Sequence, residues 1–318
     1  MKEFYNQNKL AIKVFISLAI MGLLMLRMDL PRLGQSIGEI HQNIWFAAAF
    51  MIFVQIFALS YRWLLLINAH EKRISYRNAV RVTLASQIAN YLFITSIGGI
   101  VVRVAMSVQS GFSLMRSVAA TALDRGMTLL ALLILTALFL PVLSNIASHD
   151  VLHHAVFVLG LFSMAAFLFS LLMFDAFRRK IIFSHRKVTM CFKYLRTIMT
   201  DQSLLGRIII SSLVGQLAYF AAVYVVTLST GIAFSWLHFI AILPLITIIA
   251  SLPVGYGGWG IREGAFVYGL GLINIPIEVA FAVSVQIGLI SMICAFVAGI
   301  PALITRKDGF AIFKPRAQ

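Results

Sequence analysis

Asp124 and Glu263 each stand within a stretch that is otherwise apolar, with Arg103, Arg125 and Arg262 close to the same features. An ionised side chain held in an apolar run costs a few kcal/mol or more, so each such position is a functional candidate. The residue types suggest the chemistry. A guanidinium presents a planar fork of donors that matches phosphate oxygens. A carboxylate beside it can balance the charge or carry a proton.

Two glycine clusters accompany these charges. The first runs Asn90-Tyr91-Leu92-Phe93-Ile94-Thr95-Ser96-Ile97-Gly98-Gly99 and on to Arg103. Gly98 and Gly99 give the backbone freedom for a sharp turn. A half-helix can start there, and a helix N-terminus attracts anions. Arg103 falls one turn in, while Asn90 and Ser96 add polar groups before the turn. The same residues also suit a helix-packing site with a snorkelling arginine, and both readings stay open.

The second cluster is Ser251-Leu252-Pro253-Val254-Gly255-Tyr256-Gly257-Gly258-Trp259-Gly260-Ile261-Arg262-Glu263-Gly264. Pro253 ends a helix. Gly255, Gly257, Gly258 and Gly260 break regular structure, with Trp259 among them. Arg262-Glu263 then opens a new apolar helix, the acid placed favourably near its N-terminus. An ordinary external loop needs neither this glycine density nor an apolar helix on each side. Asp124-Arg125 is a third pair, roughly 11 Å, or about two turns, into its run. It reads either as an ion pair that fixes packing or as part of a substrate site.

These residues need elements to hold them, and composition says which. The sequence is 61% hydrophobic and 12% charged over 318 residues. A soluble chain carries roughly 25% charged residues, so the outer surface is expected to face lipid. Six runs are long enough to span, at about 10–28, 44–67, 117–142, 152–175, 204–229 and 277–304. The first has no small-residue cleavage site before Leu26-Arg27-Met28-Asp29, so it reads as a retained helix. Two further regions, about 82–109 and 237–272, are the ones broken by the glycine clusters.

Loop charge orients the runs. Lys2 and Lys9 place the N-terminus inside, and Arg73, Arg77 and Arg81 keep the next basic loop inside. Residues 143–151 and 230–236 carry no Lys or Arg and lie outside. The 176–203 segment, with Arg178, Arg179 and Lys180, and the tail, with Arg306 and Lys307, lie inside. Under this assignment region 82–109 enters and returns on the cytoplasmic side, and region 237–272 does so on the outer side. The expected fold is an all-α polytopic membrane protein forming a single integral membrane domain over 1–318. It has about six full spans plus two re-entrant helical hairpins, arranged as an inverted repeat of units 10–142 and 152–304. Eight spans is the alternative. Inverted repeats with broken helices are a transporter architecture.

The net charge of +15 does not point to nucleic acid, because the basic residues sit in short loops between apolar runs. Anionic inner-leaflet lipid is their expected partner. The basic 176–203 segment interleaves apolar residues such as Ile182, Phe192 and Leu195, as an interfacial amphipathic helix does. Arg62, near the cytoplasmic end of its run, reads as snorkelling. His149, His153 and His154 form too loose a group for zinc, and Cys191 and Cys294 suggest neither a disulfide nor a metal site. No phosphate-binding glycine loop with Lys-Ser/Thr is present, nor a Gly-x-Ser-x-Gly elbow. No cofactor is expected.

The run from Pro253 to Glu263 resembles the signature of the lysylphosphatidylglycerol synthase transmembrane family, a flippase-like membrane domain. Asn90 through Arg103 is similar to that family's N-terminal Gly-Gly…Arg motif, and Leu123-Asp124-Arg125 to its acid-Arg position in the following helix. The resemblance covers roughly residues 10–305. Ile94-Thr95 and Ile100-Val101 stand where the family often has a proline before, and an acid after, the first Gly-Gly. Two-domain members add a cytoplasmic domain that transfers lysine from charged tRNA to phosphatidylglycerol. This chain closes at Gln318 soon after the last run, so that transferase is expected to be missing.

The resemblance implies a non-enzymatic lipid translocase in the cytoplasmic membrane. Its cargo would be an anionic phospholipid or polyprenyl-phosphate-type lipid. Arg103 and Arg262 would draw the headgroup phosphate, and Asp124 and Glu263 would balance charge. Gly98, Gly99, Gly257, Gly258 and Gly260 would shape the backbone. The alternative is a non-transporting subunit that presents lipid to an envelope-biosynthesis enzyme. A homodimer is left open.

Overall fold

The computed structural model describes residues 42–69, 74–92, 98–145, 194–251 and 260–304, and every regular element among them is an α-helix. In chain order these are α1 (Gln42–Ile67), α2 (Tyr76–Leu92), α3 (Gly98–Gln109), α4 (Leu114–Leu138), α5 (Leu140–Leu143), α6 (Gln202–Leu228), α7 (Trp236–Ala250), α8 (Ile261–Gly271) and α9 (Ile277–Ile304). Residues 194–200 are also helical. α1, α4, α6 and α9 are each 25 to 28 residues long and apolar. At 1.5 Å per residue they are roughly 38–42 Å in length, enough to cross a bilayer with some tilt. They account for the expected spans at 44–67, 117–142, 204–229 and 277–304. The runs at 10–28 and 152–175, and most of the basic 176–203 segment, lie outside the described residues.

Both glycine regions resolve into two short helices rather than one long one. α2 and α3 flank the first break, and α7 and α8 flank the second. The breaks, 93–97 and 252–259, lie outside the described residues, and with them Ser96, Gly257, Gly258 and Trp259. Side-chain caps set the starts of three helices. Ser113 accepts from the Arg116 N–H at α4, Asp201 from the Leu204 N–H at α6, and Ser235 from the His238 N–H at α7. Each satisfies an amide that the helix itself leaves without a partner.

The distribution of polarity is inside-out relative to a soluble protein. Phe46, Phe50, Leu138, Ile210, Val297 and Ile300 are exposed, whereas Arg62, Asp124, Gln216, Glu263, Ser284 and Gln286 are buried. Lipid is the solvent that tolerates the first set, and within the second Arg62 bonds Asp124 and Ser284 bonds Glu263 inside the bundle. The chain is a polytopic helical membrane protein.

Packing relates the two halves. The starts of α1, α2, α3 and α4 (42, 76, 98, 114) and of α6, α7, α8 and α9 (202, 236, 261, 277) keep a nearly constant offset. α1 packs against α6, and each half's first short helix packs against the other half's last long one: α2 on α9 and α7 on α4. α1 and α6 run antiparallel: Arg62 bonds Ser212 while Leu59 lies against Gly215. The short helices are antiparallel too. Gly99 and Arg103 meet Asn90 and Ser86 between α3 and α2, and Gly269 of α8 abuts Ile242 and Ile246 of α7.

One apolar cluster joins the last turns of α1 (Trp63, Leu66, Ile67), the first turns of α2 (Ala79, Val82), and Phe112 and Ala120 around the start of α4. The α2–α3 pair therefore starts and finishes at the same end of the bundle. Tyr194 and Ile198 of the 194–200 helix dock into this cluster, the Tyr194 hydroxyl donating to the Leu66 carbonyl at 2.6 Å. A larger core runs through α1, α4 and α6–α9, from Ile52 and Leu132 to Phe220, Ile242, Phe266 and Val283.

Candidate functional site

The first centre is built on Asp124, buried on α4. Its Oδ1 accepts from Arg62 Nε of α1 at 2.8 Å, and its Oδ2 accepts from Arg103 Nη1 of α3. The remaining donors of Arg62 reach Thr128 of α4 at 2.9 Å and Ser212 of α6 at 3.2 Å. Arg103 points Nε at the Ser86 hydroxyl of α2 and stacks 4.8 Å above the Trp63 ring. One carboxylate thus ties two guanidiniums drawn from different helices, and Arg62 is only 2% exposed. An Arg–carboxylate pair balances its own charge. A second arginine on the same acid leaves one positive charge in excess inside the bundle, which is costly unless an anion joins it.

This corrects two sequence expectations. Arg62 does not snorkel. Its polar head turns inward, because α1 is packed on α6 and α4 at that level. Arg125 is not the partner of Asp124. Adjacent positions on a helix point in different directions, so Arg125 is exposed and only contributes to the edge of the cavity described below.

The second centre occupies the first turn of α8, which opens with Arg262-Glu263 as expected. Glu263 is fully buried, and its Oε2 accepts from the Gly260 N–H, which closes the start of the helix. Its Oε1 accepts from Arg262 Nη2 at 2.8 Å and Nε at 3.1 Å, and from the Ser284 hydroxyl of α9 at 3.4 Å. Sequence neighbours meet in this way only if the guanidinium folds back. Gly288 on α9 leaves the room for it, since a Cβ there would collide with the guanidinium. Gly99 plays a comparable part at the first centre. Its amide donates to Asn90 Oδ1 at 2.9 Å, and a Cβ would overlap Asn90 and the Ser86 carbonyl oxygen. Gly98 precedes it, buried, as the first residue of α3. The Gly99 and Gly260 amides are therefore occupied by side-chain oxygens.

Two cavities connect the centres. One, of ≈ 240 Å³, is lined by Arg62, Arg103 and Asp124. The other, of ≈ 290 Å³, is lined by Arg262, Tyr91, Gly288 and Ser291. Gln55, Gln87, Asn90 and Tyr219 line both, so a continuous polar surface runs between the halves. The arrangement can hold an anionic group between polar side chains inside the helical bundle. Sequence reasoning gave Arg62 a snorkelling role and did not single out Gln55, Gln87, Tyr219 or Gly288. The available signal was polar residues inside spanning runs, which tend to face the bundle interior.

A family model described as "Lysylphosphatidylglycerol synthase TM region" matches residues 10–299. No curated protein sequence matches the chain.

Proposed function

Because the chain belongs to the lysylphosphatidylglycerol synthase transmembrane-region family, we propose that it is a lipid translocase. It moves an anionic phospholipid or polyprenyl-phosphate-type lipid between leaflets of the cytoplasmic membrane and makes or breaks no bond. The observation that carries this reading is the excess positive charge of Arg62 and Arg103 over Asp124, set on a polar cavity inside an apolar bundle. A phosphate headgroup supplies the missing anion, and the acyl chains stay against the apolar exterior.

The packing supports an inverted repeat. Antiparallel α1 and α6, with α2 on α9 and α7 on α4, are what a two-fold axis lying in the membrane plane produces. With the basic loops inside, α2–α3 enters as a hairpin from the cytoplasmic face and α7–α8 from the outer face. Both termini are cytoplasmic. The polar surface between the two hairpins is then exposed to one leaflet or the other as one unit rocks against its mate. Broken helices are tolerated at membrane depth where protein or a polar cavity covers them.

A leaflet-specific assay in liposomes tests the reading with wild type and Arg103→Ala. Wild type is expected to move labelled anionic lipid, and the variant to lose that movement while remaining monodisperse. Absence of movement across a broad lipid panel would favour a non-transporting subunit that presents lipid to an envelope-biosynthesis enzyme.

A further inference from the structure

The two cavities differ in what they offer a headgroup. In the first cavity Arg62, Arg103 and Asp124 meet with one positive charge unbalanced among them, and the exposed Arg125 lines the same cavity without a hydrogen bond to Asp124. In the adjoining cavity the single arginine, Arg262, is already matched by Glu263. The surface common to both cavities is uncharged: Gln55, Gln87, Asn90 and Tyr219. Among the described residues, no hydrogen bond engages the side chains of Gln55 or Gln87. Primary amides lining a cavity between apolar helices offer donors and acceptors that a ligand or water must satisfy.

Both carboxylates are spent. Asp124 accepts from two guanidiniums. Glu263 accepts from Arg262, the Gly260 amide and Ser284. A headgroup ammonium entering beside them would add a cation where, among the described residues lining the cavities, no carboxylate is left to pair with it. Contact with the Tyr219 ring returns less than desolvating an unpaired ammonium costs.

We propose that this site selects a lipid phosphodiester carrying one negative charge and an uncharged, hydroxylated headgroup such as glycerol or a sugar. The phosphate lies at Arg62 and Arg103, and the hydroxyls lie along Gln55, Gln87 and Tyr219. Amine-bearing headgroups, zwitterionic or aminoacylated, are disfavoured. This inference rests on the translocase reading for the location of the lipid, but it concerns selection rather than movement.

The test separates the two. The purified full chain in detergent is titrated with dihexanoyl forms of phosphatidylglycerol, phosphatidylmethanol and phosphatidylethanolamine, and affinity is read by calorimetry. Wild type should bind phosphatidylglycerol about tenfold or more tighter than phosphatidylethanolamine, with phosphatidylmethanol, which keeps the charge but lacks the hydroxyls, in between. In the Gln55→Leu/Gln87→Leu double variant the glycerol and methanol lipids should bind equally, with the discrimination against ethanolamine retained. Equal affinity for all three lipids in wild type, tighter binding of the amine, or no binding of any would overturn the proposal. So would an unchanged glycerol-to-methanol ratio in a folded double variant. Selective binding with no movement in liposomes would uphold the selectivity and sink the translocase reading alone.

Discussion

The two charged centres use similar side chains to different ends. The Asp124 centre is long-range. It draws Arg62 from α1 and Arg103 from α3 onto one carboxylate, with hydroxyls from α2, α4 and α6 accepting from the two guanidiniums, and ends with a surplus cation. The Glu263 centre is local. It pairs sequence neighbours, closes the start of its own helix, reaches α9 through Ser284 and Gly288, and is neutral. A charge-excess centre held by many helices depends on their relative positions and is completed by an anion. A neutral centre built within one turn keeps its form when the helices shift. Under the proposed function the first is suited to holding the lipid headgroup, and the second to keeping the start of α8 intact.

That contrast can be broken, and the largest effect is expected at Asp124. Asp124→Ala leaves two buried guanidiniums facing each other without a counter-ion and should cost about 3–5 kcal/mol. The check is thermal unfolding in detergent, and added anionic lipid should restore part of the loss. Gly99→Ala forces a methyl group against the Ser86 carbonyl and Asn90 and should cost about 1–3 kcal/mol. Its effect on Tm should exceed that of Gly288→Ala, where the colliding group is a side-chain end that can swing away. Glu263→Gln keeps one acceptor oxygen for the Gly260 amide but loses the charge and turns the other oxygen into a donor facing Arg262, so about 1–3 kcal/mol is expected. A loss at Glu263 equal to that at Asp124 would erase the distinction between the centres. The smallest effect belongs to Arg125→Ala, within about 0.5 kcal/mol, and the same assay should find Arg62→Ala far more damaging.

The pair Arg62 and Arg125 also marks how far the sequence could be read. Apolar runs and loop charge located α1, α4, α6 and α9, and the glycine clusters marked where each region divides into two short helices. Pro253 and the acid at Glu263 signalled the end of α7 and the start of α8. Partnerships between elements were not legible. Arg62 meets an acid on a helix two elements beyond its own successor, and nothing local to residue 62 distinguishes that from a head reaching for water. Asp124-Arg125 looked like a pair because sequence adjacency was the only proximity visible. Gly288 resembled any other glycine of an apolar span until Arg262 was found folded against it.

The account turns on whether the surplus charge at Arg62, Arg103 and Asp124 holds the moving lipid. The most direct measurement is the rate at which proteoliposomes transfer a labelled anionic lipid between leaflets, compared for wild type, Arg103→Ala and Arg125→Ala at matched protein density. The account predicts movement by wild type and Arg125→Ala, and at least about a tenfold loss in Arg103→Ala. Equal rates in all three would contradict it.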